Sequence, residues 1–270
     1  MTIKLLQLNI WKGRFLPEIL EYVKQNDFDI LHFQEVSGGD MTGAANNYRI
    51  VEHNEKDYTN KIAGQNCFEE IKKQLRYEGI QIKTVSYEDD PNSYQGDATF
   101  YKPEFKLISS QEVWLSNFKT VSRTFTDWET VGRAAIISEF DKNGTNFKTV
   151  NTHLAWGEHP RDEQYKIDEA KKLYDELAKI EIPFVLTGDF NVIPETKTAS
   201  IFDMLATNLS KTHHISNTLN PNTHSVKKLF PKGLAVDYIF TSPEITVKDF
   251  QLVDSPDLSD HFGLKVEIEI

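Results

Sequence analysis

The chain has 270 residues, 39% hydrophobic and 26% charged, the composition of a folded globular protein and not of a disordered or collagen-like one. Thirty basic against 41 acidic residues leave a net charge of -11, which disfavours a surface that coats nucleic acid or an anionic membrane but allows a local cleft that grips phosphate. The single cysteine, Cys67, excludes an internal disulfide and a thiolate-rich zinc site. The opening MTIKLLQLNIWKGRF has no basic region followed by an apolar stretch, so no secretory signal is expected. No run approaches the ~18 apolar residues of a membrane span. The expectation is a soluble cytoplasmic protein, monomeric by default and without stable membrane association. Pro and Gly, at 10 and 13, are spread thinly and mark no linker, so residues 1–270 are expected to form one domain.

In chain order, Ile3 to Ile10 is apolar at nearly every position and reads as a strand buried on both faces. Pro17-Glu18 opens a helix to about Gln25, with Ile19, Leu20 and Val23 on one side. Ile30 to Val36 is a second buried strand. Phe68 to Leu75 is helical, and Ala98–Tyr101 and Phe105–Leu115 are strands joined across Lys102-Pro103-Glu104. Arg133 to Leu154 predicts a hairpin turning at Asp141-Lys142-Asn143-Gly144, where Asn-Gly supplies positive φ. After Pro160, Ile167, Ala170, Leu173, Tyr174, Leu177 and Ala178 fall on one helical face. Phe184–Thr187 is a strand, Pro194 starts a helix carrying Ile201, Phe202 and Leu205, and Val236–Thr241 is a strand. Leu264 to Ile270 alternates strictly and predicts a half-exposed strand. Many strands with helices between hairpins argue for packed sheets flanked by helices, an α/β architecture that is not a purely parallel doubly wound sheet.

Polar residues sit where these strands end or begin. Asn9 closes the first, Glu35 the second, His153 the hairpin's return strand, and Asp189 with Asn191 the strand after the long helix. Asp237 begins a strand, and Asp260-His261 immediately precede the last one. Singly, each has an ordinary explanation: an edge charge, a turn former, an Asx hydrogen bond in Gly188-Asp189-Phe190-Asn191, a loop cap. If strands ending at these residues run antiparallel to strands starting at them, all meet at one rim. That rim would hold four acids, two histidines and two asparagines, hard oxygen ligands suited to Mg²⁺ and to phosphoryl chemistry.

The segments LNIW (8–11), QEV (34–36), NTHL (151–154), GDFN (188–191), VDYIF (236–240) and SDHFGL (259–264) together resemble the endonuclease/exonuclease/phosphatase superfamily, with its deoxyribonuclease I-like fold. The motifs span nearly the whole chain. GDFN followed by SDH near the C-terminus is the specific combination; QEV or LN alone would be weak. The resemblance implies a four-layer, two-sheet β-sandwich with helices outside, and a metal-dependent phosphodiesterase using Mg²⁺, with Mn²⁺ possible. It further implies that Glu35 is the principal metal ligand, with Asn9 beside it and Asp260 supporting. Asp189 would orient or deprotonate the attacking water, Asn191 hold the scissile phosphate, His261 contact the phosphoryl oxygen with Asp237 as its paired carboxylate, and His153 make a second phosphate contact.

NTHL replaces the tyrosine-containing strand typical of abasic-site endonucleases, and GLAVDYIF lacks the tryptophan and arginine of the inositol polyphosphate 5-phosphatase signature. Lys166, Glu169 and Leu173 stand where many relatives carry Arg and Gln, so no phosphate role is transferred to that helix. Lys227, Lys228 and Lys232 with Phe230 lie just before Asp237, a pattern that suits a nucleic-acid strand or equally a solvated loop. Trp156, and Trp128 with Arg133, line the cleft or belong to the core. The expected substrate is nucleic acid, hydrolysed by direct water attack. A lipid or small-molecule phosphoesterase, sphingomyelinase-like or a phosphatase, is the alternative, and a non-catalytic phosphate-binding module ranks below both.

Overall fold

Along the central strands, alternate side chains enter two different apolar layers. In the computed structural model, which describes residues 1–39, 66–88, 90–117, 119–121, 131–157, 159–224 and 233–270, the strands are β1 (Thr2–Asn9), β2 (Ile30–Gly38), β3 (Glu78–Tyr87), β4 (Asp90–Tyr101), β5 (Lys106–Trp114), β6 (Lys119–Val121), β7 (Ala134–Lys142), β8 (Thr145–His153), β9 (Phe184–Asp189), β10 (Thr207–Asn208), β11 (Asp237–Thr241), β12 (Thr246–Val253) and β13 (Gly263–Glu269). The helices are α1 (Leu16–Asn26), α2 (Cys67–Leu75), α3 (Gln164–Leu177) and the single turns α4 (Lys197–Ser200) and α5 (Leu209–Thr212). Two sheets form, ordered β12-β13-β1-β2-β4-β3-β6 and β10-β11-β9-β8-β7-β5.

The layering follows from the alternation. Leu6 and Leu8 of β1 and Leu31 and Phe33 of β2 face outward onto Ile19 and Val23 of α1 and Ile71 of α2. Ile3, Leu5 and Ile30 face inward onto Phe147, Val185 and Ile239 of the second sheet. On that sheet's far side, Val150, Leu186, Tyr238 and Phe240 pack under Ala170, Leu173 and Leu177 of α3. Helix, sheet, sheet, helix is the expected four-layer sandwich.

Each sheet has a parallel pair at its centre flanked by antiparallel neighbours. β1 runs parallel to β2 and antiparallel to β13. β8 runs parallel to β9, which runs antiparallel to β11 with Asp189 opposite Asp237. The C-terminal ends of β1, β2, β8 and β9 therefore share one edge with the starts of β11 and β13.

The inner faces change character toward that edge. β1 reads Ile3, Leu5, Gln7, Asn9; β2 reads Ile30, His32, Gln34; β8 reads Phe147, Thr149, Asn151, His153; β9 reads Val185, Thr187, Asp189. One half of the space between the sheets is apolar and the other polar. The polar half is tied together across the sheets. Asn151 Nδ2 donates to the carbonyls of Phe33 (3.2 Å) and Ala98 (2.9 Å), and its Oδ1 accepts from Gln34 Nε2 at 2.6 Å. His32 Nδ1 meets Thr187 Oγ1 at 2.7 Å.

Some elements depart from expectation. β2 does not end at Glu35: its register against β4 shifts between Phe33 and Val36, and the strand continues to Gly38. The segment after Pro194 is helical only from Lys197, where Thr196 Oγ1 caps Ala199 N at 3.2 Å, and it tightens into a 3₁₀ turn over Ile201–Met204. β3 and β12 were not foreseen. Irregular register between Lys83 and Val85, and between Val247 and Asp249, interrupts the alternation that would have announced them.

Replacing Asn151 with Leu should strand three buried partners, at roughly 1–3 kcal/mol each. A stability loss on the order of 3 kcal/mol or more is expected from urea unfolding. A loss under about 1 kcal/mol would mean the inter-sheet bonds contribute little net free energy.

Candidate active site

β2 is bulged where it reaches the polar edge. Regular alternation would put Glu35 on the outer face with Leu31 and Phe33. Instead Glu35 takes a left-handed conformation (φ 55°), and its side chain lines a cavity with Asn9, on the inner side. The bulge is held from β4, where the Asp97 carboxylate accepts the Glu35 backbone N–H.

GDFN has a reason at each position. A Cβ at Gly188 would lie 2.0 Å from the Thr152 carbonyl oxygen, so only glycine lets β9 pass β8 at that register. Phe190 is fully buried, 5.0 Å from the Tyr238 ring and 5.6 Å from Phe240. Asp189 Oδ1 accepts Asn191 N at 3.0 Å, while Asn191 adopts φ 54° and turns back toward β8. Its Nδ2 donates to Leu154 O and lies 3.0 Å from His153 Nε2. The Asn191 amide is thus turned to fixing His153; contact with a phosphate would require it to turn away.

Around Asp189 the predicted residues converge. Asn9 Nδ2 donates to Asp189 Oδ2 at 3.2 Å, and Asn9 Oδ1 accepts Trp11 N at 3.1 Å. Asp189 Oδ2 lies 3.5 Å from His153 Nε2 and 3.7 Å from His261 Nε2. His261 Nδ1 is 2.9 Å from Asp237 Oδ2, and Asp237 Oδ1 accepts from Gln7 Nε2 at 2.9 Å. The same Gln7 Nε2 donates to Gln34 Oε1 at 2.8 Å, which joins the pair to Asn151 through Gln34. The cavity of about 330 Å³ is lined by Asn9, Glu35, His153, Asp189, Asn191, Asp260 and His261; Asp237 sits behind His261.

The charges explain the protonation pattern. Burial would lower His261, but the carboxylates of Asp237 and Asp189 hold it well above the usual histidine range. His153 is driven well below that range by burial and by the nearby charges of Arg133 and His261. Burial, aided by the Asp237 charge, pushes Asp189 up to about 7. Burial and the charges of Glu35 and Asp189 push Asp97 up to about 8 against the opposing pull of Arg133.

Two residues of the cavity, Asp97 and His224, had no role in the sequence analysis, and Arg133 takes the cleft-lining one of the two places read for it there. Asp97 lies 4.0 Å from His153 Nδ1. Its signal, a lone acid just before the neutral Ala98–Tyr101 strand of the sequence reading, is weak. Arg133, 7% exposed, lines the cavity, its charge felt by Asp97, His153 and Glu169. His224 also lines it, its ring centroid 6.1 Å from that of His261. Trp156, 42% exposed, stands at the mouth. Trp128 and the Lys227, Lys228 and Lys232 segment lie outside the described residues. Lys166 and Glu169 brace the loop after His153: Lys166 Nζ donates to His159 O at 3.0 Å, and Glu169 accepts Ala155 N at 2.8 Å.

The endonuclease/exonuclease/phosphatase family model matches residues 6–261. The chain belongs to that family. Its members hydrolyse phosphoester bonds and are generally dependent on divalent metal. No curated protein matches the chain significantly. Among solved structures it is similar to a family protein from Bacteroides vulgatus, at 20% identity and TM-score 0.72 over 100% of this chain and 99% of that one. It is similar to the mannosyl-6-phosphatase Bt3783 of Bacteroides thetaiotaomicron (20%, 0.69, 99% and 100%). The catalytic domain of human nocturnin with bound sulfate is a further likeness (21%, 0.68, 99% and 93%). At these identities the likeness shows the fold.

A histidine held protonated adds stability below its ordinary pKa of about 6.5 and loses that contribution as pH rises through the raised value. Asp237→Asn should therefore move the His261 ring titration downward, read by NMR, and remove this pH-dependent stability. An unchanged titration would show that Asp237 does not control His261.

Proposed function

We propose that the chain is a divalent-metal-dependent phosphodiesterase acting by direct attack of water on phosphorus. The observation that carries the reading is the convergence on Asp189 of Asn9, His153 and the Asp237–His261 pair within one cleft.

Glu35, Asp97, Asp189 and Asp260 line one cavity, and burial raises Asp97 and Asp189 toward the neutral range. Four carboxylates facing one cavity repel one another, and a divalent cation held among them offsets that repulsion. Glu35 and Asn9 would hold it, with Asp260 supporting. When bound, such an ion polarises the phosphoryl oxygens and offsets their charge.

The chain's own groups supply the rest. Asp189 titrates near neutrality, where a base combines a free carboxylate with useful proton affinity, and it takes the proton of the attacking water. Asn9 and the Asn191 N–H fix its two oxygens. His261, kept cationic by Asp237, donates toward a phosphoryl oxygen as negative charge builds there. His153 makes a second phosphate contact once a proton on Nε2 displaces the Asn191 amide, which then turns to hold the scissile phosphate.

A nucleic-acid strand is the first substrate reading. Trp156 is an exposed aromatic beside the phosphate site, and His224 and Leu234, which bracket the lysine-bearing segment, both line the cavity. A small phosphate ester is the second reading, favoured by the cavity's modest volume of about 330 Å³.

Glu35→Gln should cut turnover at limiting Mg²⁺ by about 100-fold or more. Near wild-type turnover would remove Glu35 from the metal site. Turnover of oligonucleotides, sphingomyelin, phosphoinositides and mannose 6-phosphate, with and without Mg²⁺, separates the substrates. Activity confined to the last would displace the nuclease reading.

A further inference from the structure

His224 belongs to none of the motifs that carry the phosphodiesterase reading, yet it is placed with care. Its backbone N–H donates to Asn220 O at 2.9 Å, and the turn it closes is stitched to the segment before β13. Asn220 N donates to Asp260 O at 2.7 Å, Asn220 Nδ2 to Ser259 O at 3.0 Å, and Thr223 Oγ1 to Ser259 O at 2.8 Å. Leu219 pairs with His261 as an isolated β-bridge, and Phe262 N donates to Thr218 O at 2.7 Å. Five backbone-directed bonds thus set the separation of His224 from Asp260 and His261. One ligand atom from each of the three residues lies within 4.8 Å of the others.

We infer that His224, Asp260 and His261 form a second cation site, which shares Asp260 with the oxygen-rich Glu35 side of the cavity but is suited by its two imidazoles to Zn²⁺. Two imidazoles and one carboxylate are ligands that a borderline ion prefers and that Mg²⁺ does not. At Zn–N and Zn–O bonds of about 2.0–2.1 Å, tetrahedral ligand atoms stand roughly 3.3 Å apart, so modest side-chain rotation closes the set. Three protein ligands would leave a fourth position for water or a phosphate oxygen. His261 Nδ1 is already committed to Asp237, so Nε2 is the ligand atom. Nε2 is also the nitrogen that faces Asp189. Zinc at this site therefore withdraws His261 from the catalytic centre, and, on the phosphodiesterase reading, Zn²⁺ antagonises Mg²⁺-supported turnover.

The test is direct binding to the metal-stripped full chain, which does not depend on turnover. Isothermal titration with Zn²⁺ alone should show a site whose affinity falls at least about tenfold in His224→Asn and is kept in Glu35→Gln. Zinc-edge X-ray absorption on the wild-type protein should show two imidazole ligands, a readout that stands even if His224→Asn fails to fold. Equal Zn²⁺ affinity in His224→Asn, loss of it in Glu35→Gln, or absorption without imidazole would each overturn the site. Zinc bound as described without inhibition of turnover would keep the site and overturn only its link to catalysis.

Discussion

Gln7 is the hinge of the molecule's chemistry. From the middle of β1 its amide reaches both Gln34 on the neighbouring strand and Asp237 on the opposite sheet. Asp237 in turn holds His261, and Gln34 leads to Asn151, whose amide holds the backbone of β2 and β4 at Phe33 and Ala98. The bonds that lock the two sheets together are thus the bonds that orient the charged pair. Burial makes each of them matter, because a polar group left unpaired there has no water to turn to.

This arrangement costs stability. Gln7 Oε1, His32 Nε2, Thr99 Oγ1, Ser138 Oγ and Thr149 Oγ1 are buried between the sheets without a hydrogen-bond partner among the described residues. Apolar residues at those positions would pack without that penalty. The polar half of the interior exists because the site at its edge needs carboxylates, imidazoles and amides held still. The apolar half, built from Ile3, Leu5, Phe140, Phe147, Val185 and Ile239, supplies the compensating burial.

Backbone strain concentrates in the same place. Trp11, Lys12, Glu35 and Asn191 all adopt positive φ, and all four line the cavity. Non-glycine residues in that region carry a local conformational cost that the surrounding contacts must hold. At Glu35 the Asp97 carboxylate does the holding, and at Asn191 the bonds to Asp189, Leu154 and His153 do so. In each case the strained turn brings a functional side chain to the cavity that regular geometry would point elsewhere.

Most central strands, the three long helices and the clustering of polar residues at strand ends were legible from the chain alone. Alternation and helical spacing follow from local geometry, and the strand-end acids and amides were conspicuous against apolar runs. The family motifs add the fold's name to that pattern. What local geometry does not encode is which strands become neighbours. Only the pairing of β9 with β11 and of β1 with β13 turns Asp189, Asp237 and His261, separated by up to 72 positions, into one cluster. Asp97 stayed inconspicuous, and Arg133 was read only as cleft or core, because an acid or arginine beside a strand reads the same whether it meets solvent or another charge. His224 was invisible for the same reason: its meaning lies in hydrogen bonds to Ser259 and Asp260 made by its turn, thirty-odd residues away along the chain. Sequence periodicity reports which face a residue occupies; only the packed structure decides what that face meets.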